Sequence, residues 1–186
     1  MHKDEIWQVY APNGEAVVGE GWDSALGNPE ETGANVIVGV SVVFVYRRNA
    51  EGVLELLWQR RSPEIDRYPN DYDISAGGHI NLGETPVMGA MREAREEIGA
   101  EFDADELKFV TIRSFNDISR IAWIYAVDWT GKPETFHFDD KEVSEVRWVP
   151  FSETEEFRMN FAKKPLKKDG LTFELLGEWF KMNGIM

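Results

Sequence analysis

A chain of 186 residues, 42% of them hydrophobic and only eight of them proline, can build one domain around a real core and does not read as disordered. A net charge of −14 and a pI near 4.6 count against nonspecific binding to a nucleic-acid phosphate backbone. The absence of cysteine excludes disulfides, thiolate metal sites and cysteine catalysis.

No apolar run approaches the ~20 residues of a membrane span, and no signal-peptide pattern opens the sequence. A single domain over residues 1–186 in the cytoplasm, with no nucleic-acid or membrane partner, is therefore expected. It opens with IWQVYAPNGEAVVGEG, where Pro12-Asn13-Gly14 separates two strand-like runs. That predicts an N-terminal β-hairpin over residues 1–20, able to pair with a second copy across a two-fold axis. Trp22 to Ala34 has no periodicity and reads as a loop. The β-branched run Asn35 to Tyr46 predicts a buried strand, and Leu54 to Gln59 a second, turning over Arg48 to Gly52.

Residues 77–100 carry the strongest local signals. Thr85 suits an N-cap, Pro86 the first helical position and Gly99 a left-handed stop. Between them lies a helix about 20 Å long. Val87, Met91, Ala94 and Ile98 fall in one sector that should face a core, with Glu93, Glu96 and Glu97 on the far side. Carboxylates crowded on one face repel. Either they form a solvated face paired with Arg92 and Arg95, or they hold a hard cation, for which oxygen-only ligation suits Mg²⁺ or Mn²⁺.

Beyond the helix, Asp103 to Glu106 reads as a turn and Leu107 to Arg113, Arg120 to Asp128 and Glu145 to Val149 as strands. Acidic patches at Ser152 to Glu156 and Asp139-Asp140 read as solvated surface, and His2 and His137 as exposed. Residues 152–186 read as C-terminal helices, Ser152 to Met159 and Leu171 to Met182. Phe173, Leu176, Trp179 and Phe180 line the apolar face of the second.

From Gly78 the sequence reads Gly, five residues, Glu84, seven residues, then Arg92-Glu93-Ala94-Arg95-Glu96-Glu97-Ile98-Gly99-Ala100. This pattern resembles the Nudix hydrolase family. The resemblance implies an α/β fold, a mixed β-sheet in an α/β/α sandwich, and metal-assisted hydrolysis of a small-molecule diphosphate. With the Gly77-Gly78 pair, read as a turn, and Glu84 at the family spacing, the acidic helix reads as a divalent-metal site. The resemblance assigns Glu93 and Glu97 as principal ligands, Glu96 as a ligand directly or through water, and the Gly77 carbonyl as a further oxygen. It makes Glu84 and Arg92 a structural ion pair.

Gln59-Arg60-Arg61-Ser62, then Asp73-Ile74-Ser75 and Gly78-His79, resemble the branch similar to type 1 isopentenyl-diphosphate isomerase. This resemblance places Arg61 and His79 at the substrate. His79 either meets metal or phosphate or fixes the shape of its loop. The isomerase has a cysteine where this chain has Gly77, and it departs from the hydrolase signature that this chain keeps; both differences favour a hydrolase. The catalytic candidates are Glu96 and, as general base, Glu142, with Glu145 second; the bland reading of Glu142 and Glu145 is exposed charge at a strand edge. Tyr72, Phe115, Phe136 and Phe138 fall in expected loops, where they either meet the substrate or simply pack. The alternatives to a hydrolase are an isomerase and a noncatalytic ligand sensor, and a sensor would be expected to lose the signature acids.

Overall fold

The β-branched run forms the longest strand, β3 (Ile37–Arg48), and the sheet is assembled on its two edges. The computed structural model of the chain describes residues 5–11, 15–23, 36–115, 119–138 and 141–186. Along one edge β3 runs parallel to β8 (Arg120–Asp128), from Val38 opposite Arg120 to Tyr46 opposite Asp128. Among the described residues, the other edge is divided between three antiparallel partners. These are β1 (Ile6–Tyr10) at its start, β6 (Ala76–His79) in its middle and β4 (Leu54–Arg61) at its end. Outside β1 lies β2 (Ala16–Asp23), and outside β8 lies β7 (Lys108–Phe115). β4 also pairs with β5 (Tyr72–Asp73) and β9 (Val143–Pro150), giving a mixed sheet of nine strands among the described residues.

Side chains alternate across a strand, so β3 feeds two separate cores. Val43 and Val45 pack with Leu57, Tyr125 and Val127 beneath α1 (Pro86–Ile98), which contributes Ala90, Ala94 and Ile98. Phe44 and Tyr46 pack on the opposite face with Trp58 and Ile124. That face is covered by α4 (Gly170–Met182) through Phe173, Leu176, Trp179 and Phe180, the apolar stripe expected from the sequence. The layers are therefore helix, sheet, helix. A 3-10 turn (Phe151–Glu153), α2 (Thr154–Phe161) and a short α3 (Lys164–Lys168) lead from β9 to α4. Among the described residues no helix is long and apolar enough to cross a membrane.

Three expectations are corrected. The Gly77-Gly78 pair is not a turn but the middle of strand β6, paired with Val42 and Ser41 of β3. Trp22 belongs to β2, not to the loop after it. Tyr72 and Phe115 lie on strands β5 and β7, where Tyr72 meets Phe157 edge-on at 4.9 Å, and Phe136 stacks on Trp129 at 5.3 Å. The Pro12-Asn13-Gly14 turn, most of the loop up to Ala34, His2 and Asp139-Asp140 lie outside the described residues. The N-terminal strand is not an appendage either. Gln8 N–H donates to the Ile80 carbonyl at 2.8 Å and Leu82 N–H to the Ile6 carbonyl at 2.7 Å, which fastens β1 to the loop leading into α1.

Phe173 bridges α4 to the sheet, stacked on Trp58 at 5.5 Å and edge-on to Phe44 at 5.4 Å. Truncating a buried aromatic leaves a cavity, so Phe173→Ala should cost about 3–5 kcal/mol of stability in urea unfolding. A loss under about 1 kcal/mol would show that α4 is held by other contacts.

Candidate active site

Helix α1 is set by local chemistry at both ends. The Thr85 hydroxyl accepts the Met88 N–H at 3.3 Å, and Gly99 ends the helix at φ 66°, as the sequence predicts. Its carboxylate flank does not face solvent as a whole. Glu97 is 4% exposed, which overturns its expected place on the far side from the core. The helical wheel puts Glu97 beside Ala90, at the margin of the apolar sector, and β6 and β4 close over that margin. A Cβ on Gly78 would stand 2.3–2.6 Å from the Glu93 carboxylate, so only glycine lets this acid lie against the strand.

Glu97 Oε2 accepts two hydrogen bonds, from Gly77 N–H at 2.8 Å and from the Gln59 side-chain amide at 2.9 Å. Burial drives its carboxyl well above the usual carboxylate range, and the Glu93 charge pushes the same way against those hydrogen bonds. Burial also pushes Glu93 up to about 7; Arg92 opposes the shift, while Glu96 and Glu5 add to it.

Arg92 organises the cluster. Its Nε and Nη2 bind the two oxygens of Glu84 at 2.9 and 3.1 Å, and Nη2 also reaches the His79 carbonyl at 2.7 Å. Nη1 donates to Glu93 at 2.8 Å and to Glu96 at 3.1 Å. Those five bonds match the five N–H donors of a guanidinium. Burial opposes the charge on Arg92, but its hydrogen bonds and its carboxylate neighbours outweigh that and strengthen its hold on the proton. Glu84 also accepts the Asn81 N–H at 2.9 Å; burial works to raise its pKa, yet the bonds from Arg92 and Asn81 leave it below the usual range.

The His79 ring is stacked on buried Trp7, with centroids 3.7 Å apart and planes 11° from parallel. Burial, then the positive charges of Arg120, Arg92 and Lys163, lower its pKa to about 3, so the imidazole is neutral at pH 7. On the other side of Glu97, β4 and β5 set Gln59 directly opposite Asp73. Asp73 is buried and ion-paired to Arg61 at 3.4 Å and to Lys163.

The sequence-derived candidates thus divide. Gly77, His79, Glu84, Arg92, Glu93, Glu96 and Glu97 form one cluster around β6, the loop before α1 and the second half of α1. Arg61 joins it through Asp73 and Gln59. Glu142 precedes β9, its carbonyl accepting the Ser62 N–H at 2.7 Å next to Arg61. Glu145 accepts the Tyr72 hydroxyl at 2.6 Å. Gln59, Asp73, Lys163 and Trp7 had no role in the sequence reading. Gln59, Asp73 and Trp7 lay inside quoted runs, whereas nothing near Lys163 marked it.

Comparison with known proteins bears on what this cluster is. The family model of the NUDIX domain matches residues 36–169. The chain belongs to the Nudix family. It is 33% identical over 150 residues to Nudix hydrolase 3 of Arabidopsis thaliana, covering 73% of this chain and 18% of that protein. It is 33% identical over 114 residues to a Nudix hydrolase of Deinococcus radiodurans, covering 59% of this chain and 63% of the relative. The chain therefore spans less than two thirds of the length of either. The crystal structure of DR0079 from Deinococcus radiodurans superposes with a TM-score of 0.67 at 25% identity, covering 94% of this chain and 98% of that one.

Nudix hydrolases generally use divalent metals, and the donor set here fits one. Glu93 and Glu97 offer hard oxygen ligands side by side in a partly dehydrated place, where burial, aided by repulsion among the acids, raises both carboxyls and a cation would favour their charged forms. Among the described residues no group of three or more acidic or imidazole side chains is placed to hold a metal ion. A hard divalent cation that keeps waters needs only one or two carboxylates together with substrate oxygens.

The Arg92 network yields a stability prediction. Removing one partner of a partly buried ion pair strands the other, so Arg92→Met should lose about 3 kcal/mol in urea unfolding. Adding Glu84→Gln to that variant should restore part of the loss, because Glu84 is then no longer left charged. Additive effects of the two changes in the double-mutant cycle would show that the two residues do not depend on each other.

Proposed function

We propose that this Nudix domain is a Mg²⁺- or Mn²⁺-dependent hydrolase that cleaves the diphosphate linkage of a nucleoside-diphosphate-type or related small organic diphosphate. The observation that carries the reading is the pair Glu93 and Glu97, pressed against the glycine strand β6, where burial raises both carboxyls. Glu93 and Glu97 are the principal metal ligands, Glu96 binds directly or through water, and the Gly77 carbonyl adds an oxygen. When bound, the metal offsets phosphate charge and lowers the pKa of a water.

The chain's own residues then have separable tasks. Gly77 N–H and Gln59 hold one oxygen of Glu97 and leave the other for ligation. Arg92, tied to Glu84, fixes the rotation of α1. Arg61 and the edge of neutral His79 face the substrate, the ring face of His79 being closed by Trp7. Glu142 takes the proton of the attacking water as its oxygen bonds to phosphorus and the bridging P–O bond breaks. Two phosphate-bearing or phosphate-linked products leave. Pairing of two copies along β2, an outer strand among the described residues, is part of the same proposal.

Proton transfer at carbon, the isomerase alternative, finds less support. A side chain at position 77 would start with a Cβ only 2.6 Å from the Ser41 carbonyl oxygen, so this position cannot present an acid or base without moving β3. Incubation with isopentenyl diphosphate and Mg²⁺ in deuterated water should put no deuterium into carbon. Hydrolysis of a substrate found on a diphosphate panel in ¹⁸O-water should label one product; deuterated dimethylallyl diphosphate would overturn the reading.

Glu93→Gln and Glu97→Gln test the ligand assignment. Each should lower kcat/KM by more than the roughly 10- to 100-fold typical of an outer-shell partner. Without metal, stability should move the opposite way. Glu93 has a folded pKa raised from 4.5 to about 7, so its destabilising charge grows as pH rises through that window and is absent below it. With chelator present, Glu93→Gln should therefore melt above the parent protein at pH 8 and level with it near pH 4.5. A fully active Glu97→Gln enzyme would remove Glu97 from the ligand set.

A further inference from the structure

We propose that Lys163, seated with Arg61 on the buried Asp73 carboxylate, binds a phosphate group of the diphosphate substrate. The inference rests on the hydrolase reading and deepens it, because it adds to the site a residue from the segment between α2 and α3.

The placement follows from the sheet. Gln59 and Asp73 are directly paired across β4 and β5, so their side chains share one face about 5 Å apart. Gln59 donates to Glu97, and Asp73 holds Arg61 and Lys163. A row of side chains thus runs from the acidic helix through Gln59 and Asp73 to two cations. The Asp73 side chain is 5% exposed, whereas those of Arg61 and Lys163 are 17% and 25% exposed, so the carboxylate lies beneath and the cations reach the surface.

Charge and fastening both point to a ligand. The buried Asp73 carboxylate carries both Arg61 and Lys163, beside the acids of α1. One divalent ion is neutralised by Glu93 and Glu97 alone, so the charge of a diphosphate needs further cations. Lysine offers a compact charge with three rotatable donors, which suits a phosphate oxygen. The side chain is not required to dock its own segment. Lys163 N–H already donates to the Tyr72 carbonyl at 2.9 Å, and Ala162, fully buried, bridges to Tyr72.

The test uses the whole chain, inorganic pyrophosphate as probe, and calorimetry in Mg²⁺. Lys163→Met should weaken pyrophosphate binding about ten- to a hundredfold, as expected for loss of a charge-assisted hydrogen bond. Lys163→Arg should recover most of it. Mn²⁺ affinity without pyrophosphate should match the parent protein in both variants, and Lys163→Met should remain folded at a lower urea midpoint, because Asp73 keeps Arg61 but loses its second cation. Unchanged pyrophosphate affinity in a folded Lys163→Met protein would overturn the role of Lys163 and leave the hydrolase reading standing. Loss of Mn²⁺ binding or of folding in both variants would make Lys163 structural and overturn it as well. A parent protein that binds neither Mn²⁺ nor pyrophosphate would overturn both proposals.

Discussion

The geometry of the site depends on one guanidinium. Arg92 stands on α1, yet two of its bonds go to Glu84 before the helix and one to the backbone of β6. It therefore fixes how α1 is rotated about its axis and how the preceding loop lies on the sheet. The remaining two bonds aim Glu93 and Glu96. A lysine has three donors around a point and cannot join a loop carboxylate, a strand carbonyl and two helix carboxylates in this way. Packing cooperates, because Ala90 and Ala94 keep the sheet-facing side of α1 small and let it lie close to β3.

This arrangement places stability and function in opposition. Glu93 and Glu97 would be more comfortable in water, and the domain buries them against a strand without side chains at Gly77 and Gly78. The opposing term comes from the aromatic core on the other face of the sheet, where Trp58, Phe173, Phe44, Tyr46 and Phe180 are stacked or edge-on at about the separations aromatic pairs prefer. The aromatic face of the sheet thus offsets the cost of acids on the other, whose charge the proposed cation would neutralise. A buried carboxylate cluster next to a large aromatic core is a division of labour between the two faces of one strand, β3.

Much of this was legible in the sequence because the signals were local. Thr85, Pro86 and Gly99 delimit α1 through their own backbone needs, and the β-branched run of β3 and the apolar stripe of α4 follow from periodicity. The failures share one physical cause. Two adjacent glycines look the same whether they make a turn or let a helix carboxylate touch a strand, and here the tertiary contact of Glu93 decides. A helical wheel gives the direction of Glu97 but not the depth of what covers it; Gln59 and β6 supply the cover. Lys163 meets Asp73 only because the chain returns after β9, so no pattern around either residue reveals the pair. Glu142 stands immediately before β9, and an acid in a connecting segment has no periodic partner to announce its task.

The N-terminal strand extends the same argument. It lies outside the segment that matches the Nudix domain, yet it forms one wall of the site. Ile6 and Gln8 exchange backbone hydrogen bonds with Leu82 and Ile80, and between them Trp7 covers the face of His79. The strand therefore does two things at the cluster. It pins the loop that carries Glu84 into its bond with Arg92, and it keeps water from one side of an imidazole that is held neutral among Arg92, Arg120 and Lys163. A proton on His79 would add a further positive charge to that set in a partly dehydrated place, at a cost that burial and Coulomb repulsion both raise. The neutral ring and the carbonyl of the same residue, which receives Arg92, thus belong to one device: β1 holds the loop, the loop holds Arg92, and Arg92 holds the acids.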